Sequence, residues 1–384
     1  RDVAPSRGLG DVYKRQVEYL VSNPDKKLSD IEMILPKEKE AIVKFNDNKT
    51  DFPKLTVHEL FEKQVLKHPD KKAVVFEDKY LTYKELNEKA NRLARFFIKN
   101  GLSRGDVASI MIDKSLDYMP VALAVLKCGA AYTPIIRDLP DERAKYMIEN
   151  AHSKLIITSE EFYRNISDTK TLFIDDEALY NDNSTDNLDL DYDIDDMLHI
   201  IYTSGSTGIP KGNMIKHRGM VRLLLNTNYV DYSCDDVMLT SASLTFDISG
   251  FELWAAMMYG MTLHMMTKEH IMNINYYQNY IKDNNITTTF LATPIFHLMV
   301  EENANMFDNM KSIYVGGETL LPKYTNMLYK VNKNVKVYNA YGPAEITVIC
   351  CAMLIDRIYE NYEDIPLGKI VSNNTVYVLD KCQK

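Results

Sequence analysis

Short apolar segments alternate with amphipathic segments along most of this chain, and this alternation constrains the fold more than any other feature. In the first half, apolar runs typical of strands lie at residues 107–112 and 155–157, and a helical pattern at residues 118–127 lies between them. Thr82 and Glu85 form a capping box that predicts the start of an earlier helix, and Asn100 with Gly101 predicts its end.

The same rhythm continues through the second half of the chain. Predicted strands lie at residues 237–239, 262–266, 288–291, 313–315 and 335–338, and predicted helices lie at about 217–226, 251–259, 276–283, 295–301 and 322–329. Because strands and helices alternate over about 300 residues, we predict an α/β fold with two doubly wound, largely parallel sheets packed together.

Both ends of the chain are expected to differ from the globular core. Residues 1–16 lack a hydrophobic period, and we expect them to be an artefactual tail outside the fold. Residues 17–54 are dense in charged side chains and are expected to form a linker. The core is therefore expected to cover residues 55–384.

Composition disfavours several classes of partner. The chain carries 45 basic and 54 acidic residues, and its net charge of −9 disfavours nucleic acids and anionic membranes. Its five cysteines form no C-x-x-C pair, so we expect the reduced thiols of a cytoplasmic protein rather than a disulfide frame or a zinc site. No apolar run reaches the length of a membrane span.

A loop rich in hydroxyls and glycines follows the apolar run at residues 199–202. It contains Thr203, Ser204, Gly205, Ser206, Thr207 and Gly208, and it ends with Pro210, Lys211 and Gly212. Backbone N–H groups, hydroxyls and one lysine can converge on a single anion, which favours a polyphosphate ligand. Proline before the lysine and glycine after it exclude a Walker loop, and no dinucleotide fingerprint follows a strand. For the loop taken alone, a flexible surface linker is the alternative.

Five separate motifs occur in an order that resembles the adenylation domain of nonribosomal peptide synthetases, within the adenylate-forming enzymes. The motifs are residues 81–86, 126–134, 202–219, 246–254 and 339–345, and the likeness covers roughly residues 30–384. The resemblance implies that a carboxylic acid reacts with ATP to give an acyl-adenylate and pyrophosphate. The acyl group would then pass to the phosphopantetheine thiol of a partner carrier domain.

The resemblance also implies how the chain continues on either side. Residues 17–54 look like the connector from a neighbouring condensation domain, and residues 365–368 and 376–379 look like the start of a small β-rich subdomain. The later motifs of the family, including a lysine that contacts the reacting oxygens, do not occur before Lys384. We therefore expect the C-terminal subdomain to be missing, and we expect this fragment to bind ATP weakly and to adenylate poorly.

The resemblance assigns nucleotide and metal roles to three groups of residues. Thr203, Ser204, Gly205, Ser206, Thr207, Gly208 and Lys211 would hold the β- and γ-phosphates; Gly316, Gly317, Glu318, Asn339, Ala340, Tyr341 and Gly342 would line the nucleotide. Thr203, Lys211 and Glu345 would be catalytic, and Glu345 would bind Mg²⁺. From local sequence alone, an ordinary solvated glutamate is the favoured interpretation of Glu345, and residues 316–318 could equally be a plain turn.

Asp247 is expected to determine the class of substrate. The resemblance makes its carboxylate the partner of an α-ammonium group, which an amino acid supplies and a fatty acid does not. From the residues alone, an N-cap of a helix entering at Gly250 is the alternative.

The resemblance places eight residues around the substrate side chain: Ile248, Phe251, Phe290, Tyr314, Gly316, Ala340, Val348 and Ile349. All are apolar except for the tyrosine hydroxyl, so an aliphatic side chain is expected, isoleucine first and then valine or leucine.

Ala344 departs from the pattern, because the family usually has threonine at this position. A hydroxyl contact to the α-phosphate is then either absent or supplied by Thr347 or by water. Two other functions stay open at this stage. One is an acyl- or aryl-CoA ligase, which Asp247 disfavours, and the other is a non-catalytic fragment that binds ATP or an amino acid.

Overall fold

The computed structural model describes residues 9–25, 27, 34, 36–175, 184–204, 208–360 and 364–379. The chain divides into two compact units. The larger unit is Thr50–Ser372, and the described residues of Arg1–Lys49 and Asn373–Lys384 form the other. All of the predicted site residues that the structure describes belong to the larger unit.

The described residues contain strands β1 Lys72–Phe76, β2 Lys79–Thr82, β3 Val107–Met111, β4 Ala131–Pro134, β5 Leu155–Thr158, β6 Thr171–Phe173, β7 Met197–Thr203, β8 Lys211–Lys216, β9 Val237–Thr240, β10 Thr262–Met265, β11 Thr288–Ala292, β12 Ser312–Gly316, β13 Lys336–Tyr341, β14 Cys351–Leu354 and β15 Lys369–Ile370. Their helices are α1 Leu9–Ser22, α2 Pro36–Phe45, α3 Val57–Lys67, α4 Tyr83–Lys99, α5 Tyr118–Lys127, α6 Asp141–Asn150, α7 His217–Leu224, α8 Asp247–Tyr259, α9 Lys268–Met272, α10 Ile274–Asp283, α11 Thr293–Asn303 and α12 Pro322–Val331.

Two largely parallel sheets organise the larger unit. The first has the order β15-β14-β13-β12-β11-β9-β10-β1-β2, and the second has the order β6-β5-β3-β4-β7-β8. Antiparallel pairs occur at the edges of the sheets, where β2 pairs with β1, β14 with both β13 and β15, and β8 with β7. Crossover order and parallel pairing confirm the predicted α/β fold.

Two apolar helices pack in the core that the sheets share. Every residue of α5 is buried, as is the run from Ser249 to Met258 in α8. One hydrophobic cluster contains Ile110 of β3, Trp254 of α8 and Leu263 of β10, and therefore joins both sheets. Helices that are apolar on all sides need such an environment, because they present no polar face to water.

Local signals explain where key helices begin and end. In α4, the Thr82 side chain accepts a bond from the backbone N–H of Glu85, and the Glu85 carboxylate accepts one from the backbone N–H of Thr82. This is the predicted capping box, which satisfies two N–H groups that the helix leaves free. Helix α8 ends at Gly260, whose φ of 75° is the left-handed conformation that glycine adopts without strain.

Several elements differ from the sequence-based expectation. Helix α1 crosses the boundary expected at residue 16, and α2 lies within the expected linker. Strand β8 was not predicted. The loop after residue 203 leads into this strand before α7 begins. Residues 376–379, expected to begin a β-rich subdomain, have no regular secondary structure.

Within the part of the chain that the structure describes, no helix combines the length and the apolarity needed to cross a bilayer.

Candidate functional site

The predicted phosphate loop connects the two strands of the β7–β8 hairpin. Thr203 and Lys211 are paired in its antiparallel ladder, where opposite Cα atoms lie about 4.5–5.5 Å apart. Lys211 is exposed and Thr203 is half-buried. The pairing therefore places a lysine and a threonine opposite each other at the loop, an arrangement from which both side chains could bind one anion.

The remaining loop residues are only partly described. Ser204 and Gly208 are exposed, and Gly208 has a φ of 82°. Gly205, Ser206 and Thr207 lie outside the described residues. Their predicted contacts to phosphate stay predictions.

The carboxyl ends of β11, β12 and β13 form the second part of the candidate site. Ala292, Gly316 and Ala340 lie in register across these parallel strands, at the edge where α/β sheets bind ligands. A Cβ atom added at Gly316 would lie 2.5 Å from the carbonyl oxygen of Ala340. Only glycine fits at this position, because main-chain atoms cannot move aside as a side chain can.

The predicted nucleotide-lining residues follow directly from these strand ends. Gly317, with a φ of 97°, and Glu318 are exposed, and Tyr341 keeps 48% of its surface exposed. Asn339 is buried and its side-chain amide donates to the carbonyl oxygen of Pro366 at 3.0 Å. The exposed tyrosine ring beside the glycine turn is available for a flat ligand, and its role in stacking on adenine stays a prediction.

An aromatic cluster lies deeper below the same strand ends. The ring centroid of Phe251 lies 5.4 Å from that of Phe290 and 5.3 Å from that of Tyr314. The hydroxyl of Tyr314 donates to the carbonyl oxygen of Tyr229 at 3.3 Å. The one polar atom among the predicted pocket side chains is thus already hydrogen-bonded within the protein.

The other predicted pocket residues join this cluster. Ala340, Val348 and Ile349 are buried in the same hydrophobic cluster as the aromatic rings, and Ile248 packs against it. Gly316 lies beside them, since its added Cβ would be 3.3 Å from the Phe290 ring. Seven of the eight predicted pocket positions thus lie in or against this hydrophobic cluster, and Gly316 adjoins the Phe290 ring. That they line one substrate pocket stays a prediction.

Asp247 is the first residue of α8 and lies at the edge of this cluster. Phe246 is the N-cap, so the alternative in which Asp247 caps a helix entering at Gly250 is wrong. The carboxylate is half-buried and accepts a bond from the backbone N–H of Ile248 at 2.9 Å. Burial raises the pKa of Asp247 to about 6, backbone hydrogen bonds oppose this rise, and the negative charge of Glu345 adds to it.

Glu345 is exposed on a short 3-10 turn, Ala344–Ile346. Its negative charge contributes to the raised pKa of Asp247, so the predicted metal ligand lies within electrostatic reach of the predicted ammonium partner. Among the described residues, no group of three or more His, Cys, Asp or Glu side chains could hold a metal ion. Mg²⁺ is commonly bound by one or two carboxylates, with phosphate oxygens and water completing its coordination shell. The single exposed carboxylate of Glu345 fits this mode of binding.

Glu252 supports the segment that leads to Asp247, a role that the sequence reading did not assign. Its buried carboxylate accepts hydrogen bonds from the backbone N–H of Ser241 at 2.8 Å and from the hydroxyl of Ser241 at 3.1 Å. Burial raises the pKa of Glu252 to about 7, and the nearby Lys114 ammonium opposes this rise. Glu252 lies within the fourth motif, five residues after Asp247. This position in the motif is the sequence signal from which its role could have been inferred.

A cavity of about 320 Å³ adjoins the same segment. Its lining includes Lys114, Leu244 and Thr267, together with Ser241 and Ala242. These residues follow strands β3, β9 and β10, so the cavity opens at the carboxyl ends of strands from both sheets.

Comparison with known proteins gives one family match and a consistent set of relatives. The model of the AMP-binding enzyme family matches residues 61–384. Gramicidin S synthase 2 of Brevibacillus brevis is 35% identical over 365 residues, which cover 94% of this chain and 8% of that protein. Surfactin synthase subunit 2 of Bacillus subtilis is 34% identical over 372 residues, which cover 96% of this chain and 10% of that protein. The chain thus spans a tenth or less of the length of these relatives.

Solved structures share the fold. The nonribosomal peptide synthetase FmoA3 superposes with a TM-score of 0.86 at 22% identity, covering 98% of this chain and 41% of that one. The N-terminal subdomain of Klebsiella oxytoca NpsA, in complex with 3-hydroxybenzoyl-AMSN, gives a TM-score of 0.78 at 24% identity, covering 86% of this chain and 84% of that one. At these identities the likeness concerns the fold.

Proposed function

Because this chain belongs to the AMP-binding enzyme family, we propose that it activates an amino acid with ATP, forming an aminoacyl-adenylate and pyrophosphate. The observation that carries the proposal is Asp247, a half-buried carboxylate whose neighbour Ile248 packs against a hydrophobic cluster. Its raised pKa means that the free protein holds this charge at a cost in free energy. The α-ammonium group of an amino acid would offset that cost, which a fatty or aryl acid could not do.

The side chain of the substrate is proposed to be aliphatic. Phe251, Phe290 and Tyr314, three of the predicted pocket residues, pack against one another, and the tyrosine hydroxyl already donates to the carbonyl oxygen of Tyr229. A charged or polar side chain would find no partner among these groups, and burying it would be costly. Isoleucine is our first choice, followed by valine or leucine, because one methylene in an apolar pocket changes binding by only ~1–3 kcal/mol.

The chemistry that we propose joins two anions, the substrate carboxylate and the triphosphate of ATP. Lys211 and the Thr203 hydroxyl, which are paired across the hairpin, would bind the β- and γ-phosphates with the rest of the loop. Mg²⁺ held by Glu345 would supply further positive charge at the phosphate oxygens. The carboxylate would attack the α-phosphorus, and pyrophosphate would leave with its charge neutralised.

The wider setting is proposed from the relatives. The acyl group would pass to the phosphopantetheine thiol of a carrier domain, and a condensation domain would neighbour residues 17–54, with residues 55–384 as the adenylation core. The cysteines Cys128, Cys234, Cys350 and Cys351 are free thiols, consistent with a cytoplasmic protein.

Binding of hydrolysis-resistant adenylate mimics tests the function. Isothermal titration calorimetry of the 384-residue chain should give tightest binding for the isoleucyl-, valyl- or leucyl-sulfamoyl-adenosines and much weaker binding for octanoyl and salicyl analogues. Asp247→Ala should weaken isoleucyl-analogue binding by about 100-fold, because a buried charge pair loses one member. The control, Asp235→Ala, removes an exposed aspartate and should leave binding unchanged. Equal binding of octanoyl and isoleucyl analogues, or no effect of Asp247→Ala, would overturn the assignment.

A further inference from the structure

Arg222 on α7 holds a main-chain carbonyl of the segment that leads into the amino-acid pocket. Its Nη2 donates to the carbonyl oxygen of Ile346 at 2.8 Å. Its Nη1 is buried and has no hydrogen-bond partner among the described residues. Burial lowers the pKa of Arg222, and the titratable groups that act on it are Tyr229 and Cys350. Keeping a charged guanidinium buried costs desolvation free energy. We therefore expect its hydrogen bond to hold a part of the structure that matters for function.

The segment that Arg222 contacts is strained. Thr347 and Val348, which follow Ile346 directly, have φ angles of 68° and 66°. Both side chains are β-branched, and such residues adopt the left-handed region only at a cost. A strained conformation of this kind persists only where neighbouring structure holds it, and such strain is concentrated at functional sites.

Helix α7 supports the same segment at a second point. Gly219 lies one turn before Arg222, so the two residues share a face of the helix. A Cβ atom added at Gly219 would lie 2.7 Å from the Oγ1 atom of Thr347. The helix therefore bonds to the carbonyl of Ile346 and packs closely against the side chain of the next residue.

We propose that Arg222 is a positioning residue for amino-acid selection. By fixing the carbonyl of Ile346, it holds the strained turn that sets Val348 and Ile349 in the wall of the pocket. This inference rests on the proposed function, because it concerns the amino-acid half of the same site. In this proposal Arg222 acts on the bound amino acid only through the carbonyl of Ile346.

Calorimetry with two ligands tests the proposal on the 384-residue chain. One ligand is isoleucyl-sulfamoyl-adenosine, and the other is sulfamoyl-adenosine, which lacks the aminoacyl group. Arg222→Gln should weaken the first by about 10- to 100-fold, as expected for the loss of a charged hydrogen bond, and the second by less than about threefold. Arg222→Lys, which keeps the cation and a donor, should recover part of the loss.

A matched control and a second variant keep the result decisive. Arg164 also donates to a main-chain carbonyl, that of Leu139 at 2.6 Å, but lies outside the site; Arg164→Gln should leave both affinities unchanged. Gly219→Ala displaces Thr347 while Arg222 remains. Like Arg222→Gln, it should lower the affinity for isoleucyl-sulfamoyl-adenosine relative to that for sulfamoyl-adenosine.

The outcomes separate this inference from the function on which it rests. If the unaltered chain fails to bind the isoleucyl analogue, the proposed function fails, and this inference fails with it. If the unaltered chain binds but the ratio of the two affinities stays the same in Arg222→Gln, the positioning role is overturned. Should Arg222→Gln not fold, an unchanged ratio in both Arg222→Lys and Gly219→Ala overturns it equally.

Discussion

At the scale of single residues, burial and charge at Asp247 are the basis of the proposed selection for an amino acid. The carboxylate accepts a backbone hydrogen bond and feels the negative charge of Glu345, yet its pKa is raised to about 6 because burial outweighs the hydrogen bonds. A group tuned in this way changes its charge within an accessible pH range. Ligand binding that depends on its negative charge should therefore depend on pH.

We predict that the affinity for isoleucyl-sulfamoyl-adenosine is constant near pH 7 and falls by about tenfold per pH unit below pH 6. The sign follows from linkage: protons compete with the ammonium group for the Asp247 carboxylate, whose pKa in the free protein is about 6. Calorimetry between pH 5 and 7 measures this dependence. Asp247→Asn, which cannot titrate, should bind weakly with a flat profile, and the same slope in this variant would assign the dependence to another group.

Some residues of the site could be predicted from the sequence, and others could not. Asp247 and Glu345 stand in recognisable motifs, and the charge of Glu345 contributes to the raised pKa of Asp247, while the strand-end glycine Gly316 pairs with Ala340; their roles in one site stay predictions. Arg222 could not be singled out, because an arginine in a short amphipathic helix resembles a solvent-facing residue. Its burial and its bond to Ile346, 124 positions away, are properties of the tertiary structure.

At the scale of elements, the apolar helix α5 was predicted and the polar edge strand β8 was not. Helix α5 has the predicted bounds. Its apolar run is unbroken, and such a helix is stable only where it is buried in the core. Strand β8 has only one buried residue, Ile215, so its sequence shows no alternation that predicts a strand. It forms because β7 offers a free edge with which it pairs antiparallel.

Three histidines at the junction of α3, β7 and α7 should make the fold sensitive to acid. Burial lowers the pKa of His199 and His217 to about 3, and the pKa of His58 lies well below its ordinary value for the same first reason. The backbone N–H of Val57 donates to Nδ1 of His217 at 3.1 Å, a bond that requires an unprotonated acceptor. All three side chains are therefore neutral in the folded protein at neutral pH.

Because the folded pKa values lie below the unfolded value of about 6.5, the stabilisation is present above pH 6.5 and is lost as the pH falls. His199 and His217, whose folded pKa values are about 3, should each cost about 1.4 kcal/mol per pH unit of the free energy of unfolding between pH 6 and 4, and His58 should act in the same direction. Urea denaturation at pH 7, 6 and 5 measures this slope. His217→Asn, which keeps an acceptor without a titratable ring, should reduce the slope by about one proton; an unchanged slope would exclude His217 as a contributor.

At the scale of the whole molecule, fold and site coincide in one of the two units. Both sheets, the three hydrophobic clusters and the described residues of the predicted site lie within residues 50–372. The strand–helix rhythm predicted this core, because alternation is a property of long stretches and tolerates local errors. The expected boundaries at residues 16 and 54 stay predictions.

We predict that residues 50–372 alone fold and bind the isoleucyl analogue. Both cut ends are tied down within this unit: the Thr50 hydroxyl donates to the carbonyl oxygen of Asn226 at 2.8 Å, and the backbone N–H of Ser372 donates to Asn228 at 3.3 Å. The thermal midpoint should stay within about 4 °C of that of the 384-residue chain, and the affinity within about threefold. Starting the chain at residue 58 instead removes Phe52 and Val57, which are buried in the main cluster, and should destabilise it strongly. If residues 50–372 are unfolded while the 384-residue chain is stable, the prediction is wrong, and the residues outside this range are needed for folding.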